Sequence, residues 1–160
     1  MAPDLSIEIG KKKPFDLPEE EAHLNILRTG SMLDAAFAKL FRPHGLTDAT
    51  YNALRILRGH HPTGVPSQTI GTQMVARVPD VTRLVDRLVD AGLAARERTV
   101  QDRRIVIVRI TRAGLEMLTR LDDPVRELSK RQLGHMSRAD LAELSRLLAK
   151  ARENCLSAED

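Results

Sequence analysis

The sequence predicts a mainly α-helical protein that carries one small antiparallel β-hairpin. Apolar residues recur at three- and four-residue spacing along most of the chain, which is the period of amphipathic helices. The longest such patterns lie near the two ends. In contrast, "RIVIVRI" (residues 104–110) is rich in β-branched residues, and it follows the extended run "LAARERT" so closely that only an antiparallel hairpin can join the two.

Composition narrows the class of protein. The chain has 160 residues, of which 42% are hydrophobic and 29% are charged, so it is long and apolar enough to form a core. The net charge of +3 permits a nucleic-acid partner without establishing one. One cysteine cannot form an internal disulfide, and neither a signal peptide nor a membrane-spanning apolar stretch is visible. We therefore expect a cytoplasmic protein that does not bind membranes.

The first long helix is predicted to run from Pro18 to about Arg42. Proline suits the first turn of a helix, and the following "EEE" suits the positive end of its dipole. The apolar positions exceed what one buried stripe requires, which indicates burial on more than one side. These positions are Leu24, Leu27, Met32, Leu33, Ala36, Phe37, Leu40 and Phe41.

Two shorter helices are predicted next. Thr47 is a plausible N-cap for a helix that extends to about Arg58. The segment "GHHPTGVPS" is a loop by its glycine and proline content, and Ser67 can begin a short helix that reaches Met74.

The most informative helix is predicted within "VPDVTRLVDRLVDAGL". Its apolar residues form one buried face from Val78 to Val89, and Gly92 ends the helix. At about 100° per residue, a second and exposed face collects the polar positions of the segment. That face contains Pro79, Thr82, Arg83, Asp86, Arg87 and Asp90.

The hairpin is predicted to place Asp102, Arg103 and Arg104 at or beside its tip. Thr111 can then cap a helix that Pro124 should kink, and Ser137 with Asp140 resembles a capping box that opens the last helix. Both terminal helices are therefore long and amphipathic.

Charge concentrates in the segment from Arg83 to Arg112. It holds eight arginines against four acidic residues, a net charge of +4. Arginine forms bidentate contacts with phosphate and with the guanine edge. A helix with an exposed polar face, followed by an arginine-tipped hairpin, is typical of proteins that read the major groove and also reach the minor groove. A solvated surface of arginine–aspartate pairs is the alternative.

The segment "VTRLVDRLVDAGLAARERTVQDRRIVIVRITRAG" resembles the signature of the multiple antibiotic resistance regulator (MarR) family of winged helix-turn-helix transcription factors. The match is close over residues 78–114, and the helix order extends it loosely over residues 18–153. The resemblance implies a single domain over residues 1–160. Within it, a winged helix-turn-helix DNA-binding lobe spans residues 46–112, and N- and C-terminal dimerisation helices at 18–43 and 113–153 flank that lobe.

By position, the resemblance also implies the residues that contact double-stranded DNA. The major-groove set is Pro79, Asp80, Thr82, Arg83 and Arg87, with Arg83 as the leading contact. On the wing, Arg104 enters the minor groove, Asp102 braces it and Arg103 meets phosphate. Ser67, Gln68 and Thr69 hold the DNA backbone. Two of these residues have simpler interpretations, since Thr82 can be an ordinary surface hydroxyl and Arg87 can pair with Asp86 or Asp90.

A homodimer that represses transcription from a pseudo-palindromic operator is the function that the resemblance implies. A small aromatic or anionic effector that releases DNA is a further implied partner, although the sequence names no such ligand. Met32, Phe37, Arg55 and Arg58 could border the effector crevice, but core packing and surface charge are the favoured explanation, so these residues are not counted as site residues. We expect no cofactor and no metal, because the histidines lack ligand spacing, and Cys155 is expected to be an incidental surface thiol.

Other function classes have less support. No glycine-rich phosphate loop, nucleophile elbow or His-Glu metal motif indicates an enzyme. Single-stranded RNA readers use exposed aromatic residues, and none lies between Arg83 and Arg112. A winged-helix protein-interaction module, or an architectural DNA-binding module without sequence-specific regulation, stays open as the alternative.

Overall fold

The structure is a computed structural model that describes residues 4–98 and 106–157. These residues form seven α-helices, one 3-10 turn and three β-strands. The helices are α1 (Leu5–Glu8), α2 (Pro18–Phe41), α3 (Asp48–Gly59), α4 (Ser67–Gln73), α5 (Val81–Asp90), α6 (Arg112–Leu133) and α7 (Arg138–Ser157). The 3-10 turn is Arg42–His44, and the strands are β1 (Val65–Pro66), β2 (Ala94–Arg98) and β3 (Val106–Ile110). The mainly α fold with a small antiparallel sheet is confirmed.

The sheet has one strand more than the hairpin that was predicted. Its order is β1-β3-β2, and both pairings are antiparallel. Val65 in β1 lies opposite Val108 in β3, inside the segment that was predicted to be a loop. Gly64 permits this pairing, because its φ is +73° and an added Cβ would lie 2.5 Å from the Val108 carbonyl oxygen.

Local capping signals begin the predicted helices. The Thr47 hydroxyl accepts the Thr50 amide of α3 (3.2 Å), and the Thr50 hydroxyl accepts the Thr47 amide in return (2.8 Å). The Thr111 hydroxyl likewise accepts the Gly114 amide at the start of α6 (3.1 Å). These caps confirm the starts predicted for both helices.

Helix α5 begins later than the apolar pattern predicted. Val78 and Pro79 precede it, and the Asp80 side chain accepts the backbone N–H of Arg83 at 2.9 Å as the N-cap. Val78 is in phase with the apolar face of α5, but the Asp80 cap fixes the first helical residue at Val81. The predicted stop at Gly92 is confirmed, since Gly92 adopts a φ of +70° directly after the helix.

The chain divides into two compact units, the first ending at Arg120 and the second beginning at Leu121. The core of the first unit is apolar, and its largest fully buried side chains come from α2 to α5, from β3 and from the part of α6 before Leu121. They include Leu54, Leu57, Ile70, Val85, Leu88 and Val108. The sheet and helices α3 to α5 therefore share one core.

The second unit holds the rest of α6 and all of α7. The side chain of Asp140 accepts the Ser137 amide (3.3 Å), and the Ser137 hydroxyl accepts the Asp140 amide (3.1 Å), so the predicted capping box is present. Pro124 lies inside α6, which continues past it to Leu133.

Helix α2 is largely exposed within this single chain. Phe41 is its one buried residue among those described, while Ile26, Leu27 and Met32 are 45%, 56% and 65% exposed. The apolar surplus therefore stays open to solvent within this chain.

The segment before α2 was not assigned an element, yet it is ordered against α2. Asp4 caps the short helix α1, Leu5 is buried, and the Glu8 carboxylate accepts the Arg28 guanidinium of α2 at 2.5 Å. Within the described ranges, no helix has the length and apolar character that a membrane span requires.

Candidate nucleic-acid interface

Helices α4 and α5 pack closely across the turn at residues 74–80. An added Cβ on Gly71 in α4 would lie 2.9 Å from a methyl group of Val81, the first residue of α5. The helices can approach this closely because Gly71 has no side chain. Gly71 was not among the predicted site residues, although an isolated glycine inside a helix often has a packing reason.

The exposed face of α5 carries Thr82, Arg83 and Arg87, as predicted, while Leu84, Val85 and Leu88 face the core. Arg83 and Arg87 lie one turn apart and have no acidic partner among the described residues. The interpretation of Arg87 as a partner of Asp86 or Asp90 is therefore not supported. Both guanidinium groups can meet a ligand without first breaking an ion pair.

Asp86 pairs with the wing instead. Its carboxylate accepts a guanidinium N–H of Arg96 in β2, and the other terminal nitrogen of Arg96 donates to the Thr82 carbonyl at 3.2 Å. The side chain of Arg96 is 31% exposed. One arginine thus links the first and second turns of α5 to the base of the hairpin.

Arg109 and Arg112 are also engaged within the chain. Arg109 donates to the Glu97 carboxylate across the hairpin (3.0 Å) and to the Pro62 carbonyl before β1 (2.6 Å). Arg112 pairs with Glu116 in the first turn of α6 (2.9 Å). Arginine–acid pairs, the alternative considered for this charged segment, therefore account for Arg96, Arg109 and Arg112. They do not account for Arg83, Arg87 or Arg98.

The residues predicted to hold the DNA backbone lie at the start of α4. Ser67 and Thr69 are partly buried and Gln68 is exposed, and they lie directly after β1. Pro79 and Asp80 belong to the turn before α5 rather than to the helix, and the Asp80 carboxylate is occupied as its N-cap. The predicted wing contacts Asp102, Arg103 and Arg104 lie outside the described residues.

A separate cavity of about 520 Å³ lies between α2, α3 and the turn before α5. The stacked rings of Phe41 and Tyr51, with centroids 4.3 Å apart, form part of its wall. Phe37 and Arg55, two of the four effector-crevice candidates, line it, whereas Met32 and Arg58 are not among its lining residues.

Two acidic residues also border this cavity. Burial raises the pKa of the Asp48 carboxyl above its ordinary value, its own backbone N–H opposes the rise, and the nearby charge of Asp34 adds to it. Asn52 connects the cavity to the turn, because its side-chain oxygen accepts the Val75 amide at 2.8 Å. A molecule bound in the cavity would therefore touch the segment that leads into α5.

In the parts of the chain that the structure describes, no three His, Cys, Asp or Glu side chains come together as a metal site. Cys155 is exposed near the end of α7, and its thiol donates to the Ala151 carbonyl oxygen at 3.7 Å.

The chain is similar to known proteins of one family. A family model described as the MarR family matches residues 44–105. A crystal structure of a MarR transcription factor from Planctomyces limnophilus is 41% identical, with a TM-score of 0.67, and the alignment covers 85% of this chain and 98% of that one.

Two further relatives are more distant. The HTH-type transcriptional repressor IacR of Pseudomonas putida is 32% identical over 79 residues, which are 49% of this chain and 47% of the repressor, so the chain spans about half the length of this curated relative. A structure of Bordetella bronchiseptica BpsR, whose DNA binding is regulated by 6-hydroxynicotinic acid, has the same fold. It is 21% identical, with a TM-score of 0.75, over 88% of this chain and 99% of that one.

Proposed function

The chain belongs to the MarR family of transcription regulators, and from this premise we propose that it is a sequence-specific double-stranded DNA-binding repressor. It acts as a homodimer on a pseudo-palindromic operator. Each protomer places α5 in the major groove and its wing beside the neighbouring minor groove. A small effector releases the DNA.

The observation that carries this proposal is that some arginines near α5 are paired within the chain and others are not. Arg83 and Arg87 project from the exposed face of α5 without an acidic partner among the described residues, while Arg96 fixes the same helix to the hairpin. A recognition element needs both properties, because its contacts must be free to bind and its position must be fixed.

Homodimerisation is supported by the open apolar surface of α2. Large apolar side chains that stay half exposed along one long helix favour a protein–protein interface. A second copy is the fitting occupant, because two symmetric recognition helices match two half-sites. The repressor named among the relatives supports repression as the regulatory outcome.

The cavity between α2, α3 and the turn before α5 is the proposed effector site. Its aromatic wall suits a flat ring, and Arg55 offers a cation to an anionic substituent. The effector must bind more tightly to the conformer that cannot engage DNA, since only that difference shifts the equilibrium. The compound that regulates BpsR, 6-hydroxynicotinic acid, is of this chemical class.

Selection of duplex DNA from a random pool tests the main proposal. A pseudo-palindrome with half-sites about one helical turn apart, bound with a steep salt slope, is the expected result. Enrichment without a consensus would make the protein an architectural DNA binder. No enrichment by effector-free protein would favour a protein-interaction module and overturn the proposal.

The effector is tested with 6-hydroxynicotinic acid and related aromatic acids as probes. A ligand of the cavity should raise the Tm of the DNA-free protein and weaken operator binding by the same linkage, and Arg55→Gln should reduce both effects. A probe that binds the free protein and the DNA complex equally well would not be an effector.

A further inference from the structure

A second cleft, of about 440 Å³, lies where α5 meets the hairpin. The described residues that line it are Ser67, Thr82, Arg96, Arg98 and Val106. They come from the start of α4, the first turn of α5 and the two hairpin strands β2 and β3, so four elements of the candidate interface meet there.

Strand geometry accounts for the two arginines in this cleft. Alternate residues of a strand point to the same face of a sheet. Ala94, Arg96 and Arg98 therefore share one face of β2, and Ala94 is buried on it. Arg96 contacts α5 from this face, which places Arg98 on the same side, farther from the core and opposite Val106.

The two arginines differ in charge balance. Arg96 is neutralised by Asp86 and also bound to the Thr82 carbonyl, so it forms a fixed wall of the cleft. Arg98 has no acidic or hydrogen-bonding partner among the described residues. No acidic residue occurs among the described lining residues either. Among the described residues, the cleft therefore holds one positive charge that no acidic residue balances.

Two hydroxyl groups complete the set of donors. Among the described residues, the side chains of Ser67 and Thr82 make no hydrogen bond, and each can donate its O–H to an incoming oxygen. A guanidinium group with two hydroxyl donors is typical of the side chains that bind phosphate oxygens. A phosphodiester carries one negative charge, which would balance the positive charge of Arg98.

We propose that this cleft binds one phosphate of the DNA backbone, with Arg98 as the charged ligand and the hydroxyls of Ser67 and Thr82 as neutral donors. The occupant is a phosphodiester of duplex DNA rather than a free phosphate ion, because Thr82 adjoins Arg83 on the exposed face of α5 that is proposed to enter the groove. This inference rests on the proposed DNA-binding function and adds Arg98 to its contacts.

The first test compares Arg98→Gln with wild type for operator binding over a range of salt concentrations. Each lost phosphate contact lowers the slope of log K against log salt by about 0.9, so a dimer that loses two contacts should lose about 1.8. At about 0.15 M salt, the same relation predicts roughly a fivefold loss of affinity per contact. Because the contact carries no sequence information, random duplex DNA should be affected to a similar extent.

Arg112→Gln is the matched control, because it removes the same charge from a guanidinium that already has a partner in Glu116. Thermal unfolding should leave both variants near the wild-type Tm. If Arg98→Gln has the slope and affinity of Arg112→Gln, the proposed phosphate site is wrong. If wild type itself shows no salt-dependent duplex binding, the proposed function fails instead, so the two failures are distinguishable.

The second test neutralises single phosphates of the operator with methylphosphonate. At one position in each half-site, methylphosphonate should weaken binding by wild type but not weaken binding by Arg98→Gln any further. The reason is that the methylphosphonate and the Arg98 substitution remove the same contact. Additive losses at every position would overturn the assignment. Inorganic phosphate at constant ionic strength should not raise the Tm of DNA-free wild type more than that of Arg98→Gln. If it does, the ligand of the cleft is a free phosphate ion, and the DNA backbone is the wrong choice.

Discussion

Arginines with the same intrinsic charge have different roles in this protein because their neighbours differ. Arg109 is held by Glu97 and the Pro62 carbonyl, and Arg96 by Asp86 and the Thr82 carbonyl. Arg83, Arg87 and Arg98 have no such partners among the described residues. At the scale of single residues, the net charge of a segment therefore overestimates how many cations are available to a ligand.

Arg83→Ala should weaken operator binding without lowering the Tm, because Arg83 is exposed on α5 and supports no other side chain among those described. If Arg83 contacts a base edge, the variant should also lose preference at one base pair, at a cost of about 1–3 kcal/mol. Repeating the DNA selection with the variant measures this preference. An unaltered consensus would identify Arg83 as a phosphate contact.

Arg104→Ala should weaken operator binding by more than about tenfold, also without a loss of thermal stability. This prediction rests on the resemblance of the wing and on the attraction of arginine to a narrow minor groove. Fluorescence anisotropy at physiological salt, with Arg112→Ala as a control for charge, measures the effect. Normal binding by Arg104→Ala would remove the wing from the interface.

At the scale of elements, the position of α5 depends on two contacts near its start. Asp80 caps the helix, and Arg96 ties it to β2. Neither contact needs to touch DNA in order to affect binding. Each is expected to act by fixing where the residues of α5 lie.

Asp80→Ala should lower the free energy of unfolding by about 1 kcal/mol, the typical cost of losing an N-cap. Asp80→Asn keeps a capping oxygen and should be close to wild type in chemical denaturation. Removing a negative charge beside DNA should also strengthen non-specific binding by Asp80→Asn. Equal destabilisation by the two substitutions would show that the charge of Asp80, and not its capping oxygen, stabilises α5.

Arg96→Gln should weaken binding to the operator more than binding to random duplex DNA, because it releases α5 from the hairpin without removing a phosphate contact. The salt slope should stay near that of wild type, in contrast to Arg98→Gln. Arg96→Lys, which can still pair with Asp86, should recover part of the lost specificity. A reduced slope in Arg96→Gln would instead make Arg96 a phosphate ligand.

At the scale of the whole molecule, the apolar surface of α2 predicts assembly. Met32 is the most exposed of the large apolar residues on this helix, at 65%. A surface of this kind is expected to be covered by a second copy, and the proposed operator symmetry requires two recognition helices.

Met32→Lys should raise the dissociation constant of the dimer by at least about tenfold, because it places a charge in an apolar interface on both protomers. Analytical ultracentrifugation over a range of concentrations measures the change. His23→Lys is the control, since His23 is exposed and lies on the opposite side of α2 at about 100° per residue. A wild-type protein that stays monomeric at all concentrations would remove the basis for palindromic recognition.

Local sequence determined the helices and most of their ends. Periodic apolar residues located α2, α3, α5, α6 and α7, and the hydroxyl side chains of Thr47, Thr111 and Ser137 marked three starts. Capping can be read locally because it joins residues only three positions apart. The exposed face of α5 also followed from helical geometry. These features could be read from the sequence because their partners lie within one or two turns.

Tertiary structure decided which residues meet across the fold. Val65 joins the sheet only because Val108 lies beside it, and Asp86 neutralises Arg96 only because β2 returns past α5. The cavity between α2, α3 and the turn before α5, and the cleft around Arg98, also form between separate elements. The sequence by itself determined that this protein has a helix with two arginines on its polar face, within a segment of net charge +4. Contacts between distant residues decided which of these charges stay free.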